Sequence, residues 1–243
     1  MSTPVRLAVL GAKGRMGSAV SRFAPGFGME VVAAIDKGDD LSVLATSGAQ
    51  MAIDFSTPAA LAAACAACEK TGVAFVSGTT GLDDEGRAAL DRLATKAPVL
   101  WEPNMSVGVH VLASLVEKAL AALGPGYDVE VVETHHRMKV DAPSGTALRL
   151  AEVVKAGRAG SRYVHGREGK PGARDASEIG MHALRGGDVI GDHTVYFFGD
   201  GERLELTHRA SSRDLFAHGA LRAAKWMVGK PAGRYHLADV IGG

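Results

Sequence analysis

The chain has 243 residues, of which 47% are hydrophobic and 22% charged, enough apolar material for one large or two modest cores. Lys and Arg together number 27, as do Asp and Glu, so no basic field invites nucleic acid and no acidic arm suggests a disordered tail. The first residues lead into an apolar strand without the pattern of a secretory leader, and no apolar run approaches a membrane span; a cytoplasmic protein with neither nucleic-acid nor membrane partners is expected.

Residues 5–10 read as a strand that runs into Gly11-Ala12-Lys13-Gly14-Arg15-Met16-Gly17. A helix to Phe23 follows, then a strand over 29–35 ending on Asp36. Strand, glycine turn, helix, strand and terminal acid form a βαβ dinucleotide-binding unit, although the spacing is G-x-x-G-x-x-G. Glycine lets the backbone approach a pyrophosphate resting on the helix N-terminus, and Asp36 faces the adenosine ribose. Lys37 beside it suits a 2′-phosphate, so use of both NADH and NADPH is expected, with NADH at least as good.

Strands over 51–57, 73–77 and 99–101 alternate with helices over 58–70 and 84–95, the pattern of a parallel, doubly wound sheet. The loops Phe55-Ser56-Thr57, Gly78-Thr79-Thr80 and Glu102-Pro103-Asn104-Met105 lie beyond the strands' carboxyl ends, where they would line the nicotinamide. Cys65 and Cys68, the only cysteines, sit late in an alanine-rich helix and lack two further ligands at zinc spacing. They read as small buried residues, and no metal is expected.

A helix over 109–123 opens a second domain, and a strand over 127–133 leads to Glu133-Thr134-His135-His136-Arg137-Met138-Lys139-Val140-Asp141-Ala142-Pro143-Ser144-Gly145-Thr146. Ser144 caps a helix whose apolar stripe is Ala147, Leu150, Ala151 and Val154, and the first turn aims the amides of Gly145 and Thr146 at an anion. Arg137 and Lys139 add positive charge, while His135 and His136 exchange protons near neutral pH. Segment 158–177 reads as a surface excursion or lid. Strands are expected over 179–184, 189–190, 194–198 and 203–209, a helix over 215–228, and a tail packing back on the first domain. His182, His193 and His208 read as structural, and Arg209, Arg213 and Lys225 as interface or solvated charges. The fold class is then α/β: a Rossmann-like doubly wound parallel sheet (1–106 plus 216–243) with an inserted α+β mixed-sheet domain for substrate and oligomerisation (107–215).

GAKGRMG at 11–17, DFST at 54–57, GTTG at 78–81, PNMSVGV at 103–109, HHRMKVDAPSGTAL at 135–148 and THRASSRDLFAHGALRAA at 207–224 together resemble the 4-hydroxy-tetrahydrodipicolinate (dihydrodipicolinate) reductase family. The resemblance implies a homotetramer, joined through the sheets of the second domain, that reduces a small cyclic dicarboxylate with NADH or NADPH in the diaminopimelate route to lysine. It implies that His135 and Lys139 are catalytic, and that His136, Ser144, Gly145 and Thr146 hold substrate. Gly11 to Met16, Asp36, Lys37, Gly78 to Thr80 and Glu102 to Met105 would bind the cofactor. Two rivals are a dehydrogenase of another small amino or keto acid and a dinucleotide-sensing module, which would have no use for His135 and Lys139 together.

Overall fold

The computed structural model describes residues 3–242. In chain order come β1 (Val5–Leu10), α1 (Arg15–Phe23), β2 (Met29–Ile35), the single turn α2 (Val43–Thr46), β3 (Met51–Asp54), α3 (Pro58–Thr71), β4 (Ala74–Ser77), α4 (Asp84–Ala94) and β5 (Pro98–Trp101). Next are α5 (Val107–Leu123), β6 (Asp128–His135), α6 (Gly145–Ala156), β7 (Arg162–His165), β8 (Glu178–Arg185), β9 (Gly191–Gly199) and β10 (Glu202–Ala210). The chain closes with α7 (Asp214–Met227), β11 (Gly233–Tyr235) and α8 (Leu237–Gly242). Two compact units result, one reaching Val107 and resuming at Arg213, the other spanning Gly108–Ser212.

In the first unit six strands pair in the order β11-β5-β4-β3-β1-β2, all parallel. Their apolar runs are continuous because both faces are covered. Leu7, Val9, Met51, Ile53, Val76 and Leu100 meet α1 and α7, while Ala8, Leu10, Ala52, Phe75 and Val99 meet α3 and α4. Cys65 and Cys68 are buried there, and burial pushes the Cys65 thiol up to about 12 and raises that of Cys68, which leaves both inert. The C-terminal tail adds β11 beside β5 and inserts Leu237 and Val240 into the core, a strand too short for periodicity to reveal.

The second unit is a five-stranded mixed sheet, order β10-β9-β6-β8-β7, with β6, β8 and β7 parallel and β9 and β10 antiparallel. One face packs Val129, Val131, Ile179, Met181, Val195 and Phe197 against Leu112, Val116 and Leu120 of α5 and Leu150, Ala151 and Val154 of α6. Leu150 is fully buried, and its truncation to Ala would cost about 2–5 kcal/mol. Against the expectation of no membrane-length apolar run, Val107–Gly126 is long and apolar enough to cross a membrane by length and composition (mean hydropathy 1.5). Leu112, Val116 and Leu120 face this core, while Val111 and Leu115 of the same helix are exposed.

Three further readings change. Strand β6 runs two residues past the expected end, so His135 is a strand residue pointing to the helix-covered face. No strand forms at 189–190: Gly186 and Gly187, the latter at φ 52°, turn the chain, and Gly186 N–H donates to the His135 carbonyl while Gly187 O accepts from Arg137 N–H. The 158–177 segment is exposed over 165–173, as a surface excursion would be, but it contains β7 and is tied to the sheet by arginines. Arg174 bonds Asp128, Glu130 and the carbonyls of Val129 and Glu178, and Arg167 grips Glu130 with two nitrogens at 2.9 Å.

Candidate active site

In the first unit the turn after β1 is built from backbone. Gly11 sits at φ 73°, and a Cβ there would lie 2.6 Å from the Phe55 carbonyl oxygen. A Cβ on Gly17 would lie 2.2 Å from the Gly11 oxygen, so both positions require glycine. Helix α1 starts at Arg15 with Gly14 at its N-cap and no side-chain cap, which leaves its positive end to a ligand. Asp36 Oδ2 accepts from Lys13 N–H at 2.7 Å and Oδ1 from Lys37 N–H at 2.8 Å, bonds that hold its carboxyl below the usual range.

Gly11, Gly14, Asp36, Lys37, Phe55 and Thr57 help line a cavity of about 570 Å³. A second, of about 200 Å³, is lined by Met16, Phe55, Gly78, Pro103, Asn104, Met105 and Phe216. The glycine cradle and the paired cavities sharing Phe55 fit the two halves of a dinucleotide. Ala12 lies in the turn, with Lys13 and Arg15 exposed on its rim.

Buried Asp54 ties these loops together. It accepts from Ser56 N–H at 3.0 Å, Ser77 Oγ at 2.7 Å and Thr79 Oγ1 at 2.8 Å, and Trp101 Nε1 donates to the Thr79 carbonyl at 2.8 Å. Thr80 stands exposed beside them. Glu102 differs from its neighbours: its buried carboxylate accepts from Leu237 N–H at 3.3 Å, and it is not among the residues lining either cavity.

In the second unit the expected loop residues gather around the end of β6. His135 Nδ1 lies 2.5 Å from Glu133 Oε2, and both residues are buried. Arg185 reaches the same carboxylate with Nη1 and Nη2 at 2.8 Å each, and Ser144 N–H donates to Oε1 at 3.0 Å. Those three partners outweigh burial and hold the Glu133 carboxyl below its ordinary value. Ser144 Oγ caps α6 by accepting from Ala147 N–H at 3.2 Å and lies 3.1 Å from His193 Nε2. The His193 ring meets His135 edge-on at 5.1 Å, and burial lowers the His193 pKa to about 4, so it is neutral at pH 7.

Lys139 Nζ rests on Asp141, 2.7 and 2.9 Å from its two oxygens. His136 is half-buried, Arg137 is exposed, and Gly145 and Thr146 form the first turn of α6. Among the described residues, no group of three or more His, Cys, Asp or Glu is placed to hold a metal ion.

Sequence reasoning gave Glu133 no role, did not consider Arg185 and took His193 as structural. Only strand register brings them in: His135 pairs with Arg185 across the parallel β6–β8 ladder, and Glu133 with His193 across the antiparallel β6–β9 ladder. The i, i+2 spacing of Glu133 and His135 on one strand face was the one local signal.

Comparison with known proteins is concordant along the whole chain. The model of the dihydrodipicolinate reductase N-terminus matches residues 5–105, and that of its C-terminus residues 108–241. A 4-hydroxy-tetrahydrodipicolinate reductase of Thiobacillus denitrificans is 46% identical, with 98% of each chain covered. Its counterpart from Myxococcus xanthus is 45% identical at the same coverage. Among solved structures, the dipicolinate-bound dihydrodipicolinate reductase of Paenisporosarcina sp. TG-14 superposes with a TM-score of 0.78 at 26% identity, covering 96% of this chain and 97% of that one. The fold, the nicotinamide cofactor it serves and the full-length likeness agree: the chain is an oxidoreductase and belongs to the dihydrodipicolinate reductase family.

Proposed function

We propose that the chain reduces 4-hydroxy-tetrahydrodipicolinate to tetrahydrodipicolinate and water at the expense of NADH or NADPH, in the diaminopimelate route to lysine. The unit ending at Val107 and resuming at Arg213 serves as the dinucleotide-binding domain and Gly108–Ser212 as the substrate domain. One observation carries the reading: an acid–base histidine, a lysine ammonium and a helix N-terminus stand within one strand–loop–helix segment, the donor set that a small dicarboxylate undergoing proton transfer needs.

The reduced nicotinamide supplies a hydride. Gly11 to Met16 hold the pyrophosphate at the α1 N-terminus, Asp36 takes the ribose hydroxyls, and Lys37 accommodates a 2′-phosphate, so both cofactors are accepted and NADH at least as well. Gly78 to Thr80 and Pro103 to Met105 position the ring end, and Glu102 acts from behind them through the Leu237 contact. Gly145 and Thr146 bind one substrate carboxylate, while Ser144, whose hydroxyl is engaged in capping, shapes that turn. His136 contacts substrate. His135 and Lys139 supply the proton taken up as hydride arrives and water leaves. No metal enters.

The sheet face opposite α5 and α6 carries Val132, Leu184, Tyr196 and Phe198, with Leu184 50% exposed and the last two rings stacked at 5.6 Å. These side chains share their face with Glu130, Thr134 and His182, a mixed surface opposite the two helices of its unit, and an exposed patch of this kind supports the homotetramer. The direct test is oxidation of NADH and NADPH by the purified protein, with substrate made in situ from pyruvate and aspartate semialdehyde by the preceding synthase. Rapid oxidation requiring synthase and both precursors is expected; NADH binding without turnover overturns the assignment.

A further inference from the structure

Two strands and a helix N-cap that are separated in sequence converge behind His135, and their meeting point is a single carboxylate. Glu133 is 1% exposed and makes four polar contacts: His135 Nδ1, both terminal nitrogens of Arg185 and the Ser144 amide. Arg185 is itself held, donating to the Asp141 carbonyl at 2.6 Å and the Leu184 carbonyl at 2.7 Å. We propose that Glu133 is the positioning residue of His135, and that Arg185, by sharing the same carboxylate, decides whether the ring stands neutral or protonated. The inference rests on the acid–base role of His135 and adds to it two residues that do not touch substrate.

An ionised carboxylate accepts hydrogen bonds and donates none. Glu133 is kept ionised by Arg185, so the His135 nitrogen facing it must carry the proton. The neutral ring is therefore the Nδ1–H tautomer, and its lone pair sits on Nε2. That nitrogen looks toward Gly191, where a Cβ would stand only 2.9 Å away; the glycine leaves the space that Nε2 occupies. The His193 ring meets the His135 ring edge-on at 5.1 Å.

Charge decides the second half. A buried carboxylate belonging to His135 alone would hold a proton on the ring through neutral pH, and an imidazolium cannot accept another. The Arg185 guanidinium takes up that charge. The groups facing the ring are Glu133 on its own strand, Arg185 on β8, His193 on β9 with His208 on β10 beyond it, and Lys139 with Asp141 in the following loop. Glu133 pulls the His135 pKa up, burial pushes it down more strongly, and Lys139 and Arg185 assist burial, so it falls below its ordinary value. The ring is neutral at rest, so Nε2 first takes up a proton from solvent or the Lys139 ammonium and then passes it to substrate.

The test pairs NMR titration of the His135 ring nitrogens with kcat/KM profiles against pH, at saturating NADH, for wild type, E133Q, E133D and R185Q, and adds the pH profile alone for H135Q. In wild type the nitrogen shifts should report the Nδ1–H tautomer. In E133Q, kcat should drop about 100-fold with NADH affinity unchanged, and the His135 midpoint should move down; E133D should restore the midpoint and part of the rate. R185Q should move it up, in the opposite sense. Opposed displacements are what a merely structural role does not produce. Equal or absent displacements, or an Nε2–H tautomer in wild type, overturn the proposal. The wild-type tautomer decides the matter even where a variant does not fold. Should H135Q keep full activity while the wild-type ring titrates as described, the acid–base role of His135 fails and the positioning network stands.

Discussion

The turn after β1 and the turn before α6 each lead into a helix N-terminus able to attract an anion, and they are built in different ways. In the first, the helix start has no side-chain cap, and three glycines let the backbone itself make the cradle. In the second, Ser144 caps the helix and its amide is tied through Glu133 to Arg185 and His135. A backbone cradle suits a ligand that is only held. A side-chain network also sets protonation, which a site that transfers a proton requires. The two should therefore break differently when altered.

The largest contrast comes from opposite lesions. Lys139→Ala or His135→Gln should lower kcat by roughly 10²–10⁴-fold while leaving the dissociation constant of NADH, read by fluorescence titration, within about twofold. Gly17→Ala should do the reverse at the binding step: its Cβ would meet the Gly11 oxygen at 2.2 Å, and the turn must open. NADH affinity should fall by about 100-fold, a loss comparable to misplacing an electrostatic cradle, while the His135 ring titrates as in wild type. Normal NADH affinity in Gly17→Ala would remove the backbone-cradle reading.

The same contrast separates what could be read in the sequence from what could not. Glycine turn, terminal Asp36 and alternating apolar runs are encoded within about thirty residues, and local spacing suffices to place them. Ser144 and the helix behind it were equally legible, because cap chemistry is local. Arg185 and His193 were not, since they reach His135 and Glu133 only through β6–β8 and β6–β9 register, a long-range property that no window of sequence holds. Strands β7 and β11 were missed for a related reason: at four and three residues they owe their state to the neighbour that they pair with. Glu102 shows the converse, a residue in a motif whose side chain turns to the C-terminal tail.

A pH experiment probes the side-chain network alone. His193 has a native pKa of about 4, depressed by burial, against about 6.5 in an unfolded chain. Above the unfolded value neither state is charged. As pH falls below it the unfolded chain takes up a proton that the native ring refuses, so stability declines between about pH 6.5 and 4. Between about pH 7.5 and pH 5 this group should cost about 2 kcal/mol, and urea unfolding of His193→Asn should show a pH slope reduced by that amount. An unchanged slope would show that the native ring takes up its proton as readily as the unfolded chain does, and the order of charges around His135 would have to be redrawn.

The smallest effect bears on how the second site waits for its ligand. The Lys139 ammonium lies on both oxygens of Asp141, whose side chain is 53% exposed. A substrate carboxylate seeking that ammonium has to displace one already present. Exposed pairs of this kind are worth about 0.2–1 kcal/mol, so removing the competitor should tighten substrate binding by only about 1.5- to 5-fold. Asp141→Asn should lower KM by that factor, most visibly at low ionic strength, and leave kcat nearly unchanged because Lys139 keeps its place. A rise in KM would mean that Asp141 holds Lys139 in its working position, and the loop would then be a preset arm, as rigid in its way as the glycine cradle of the first unit.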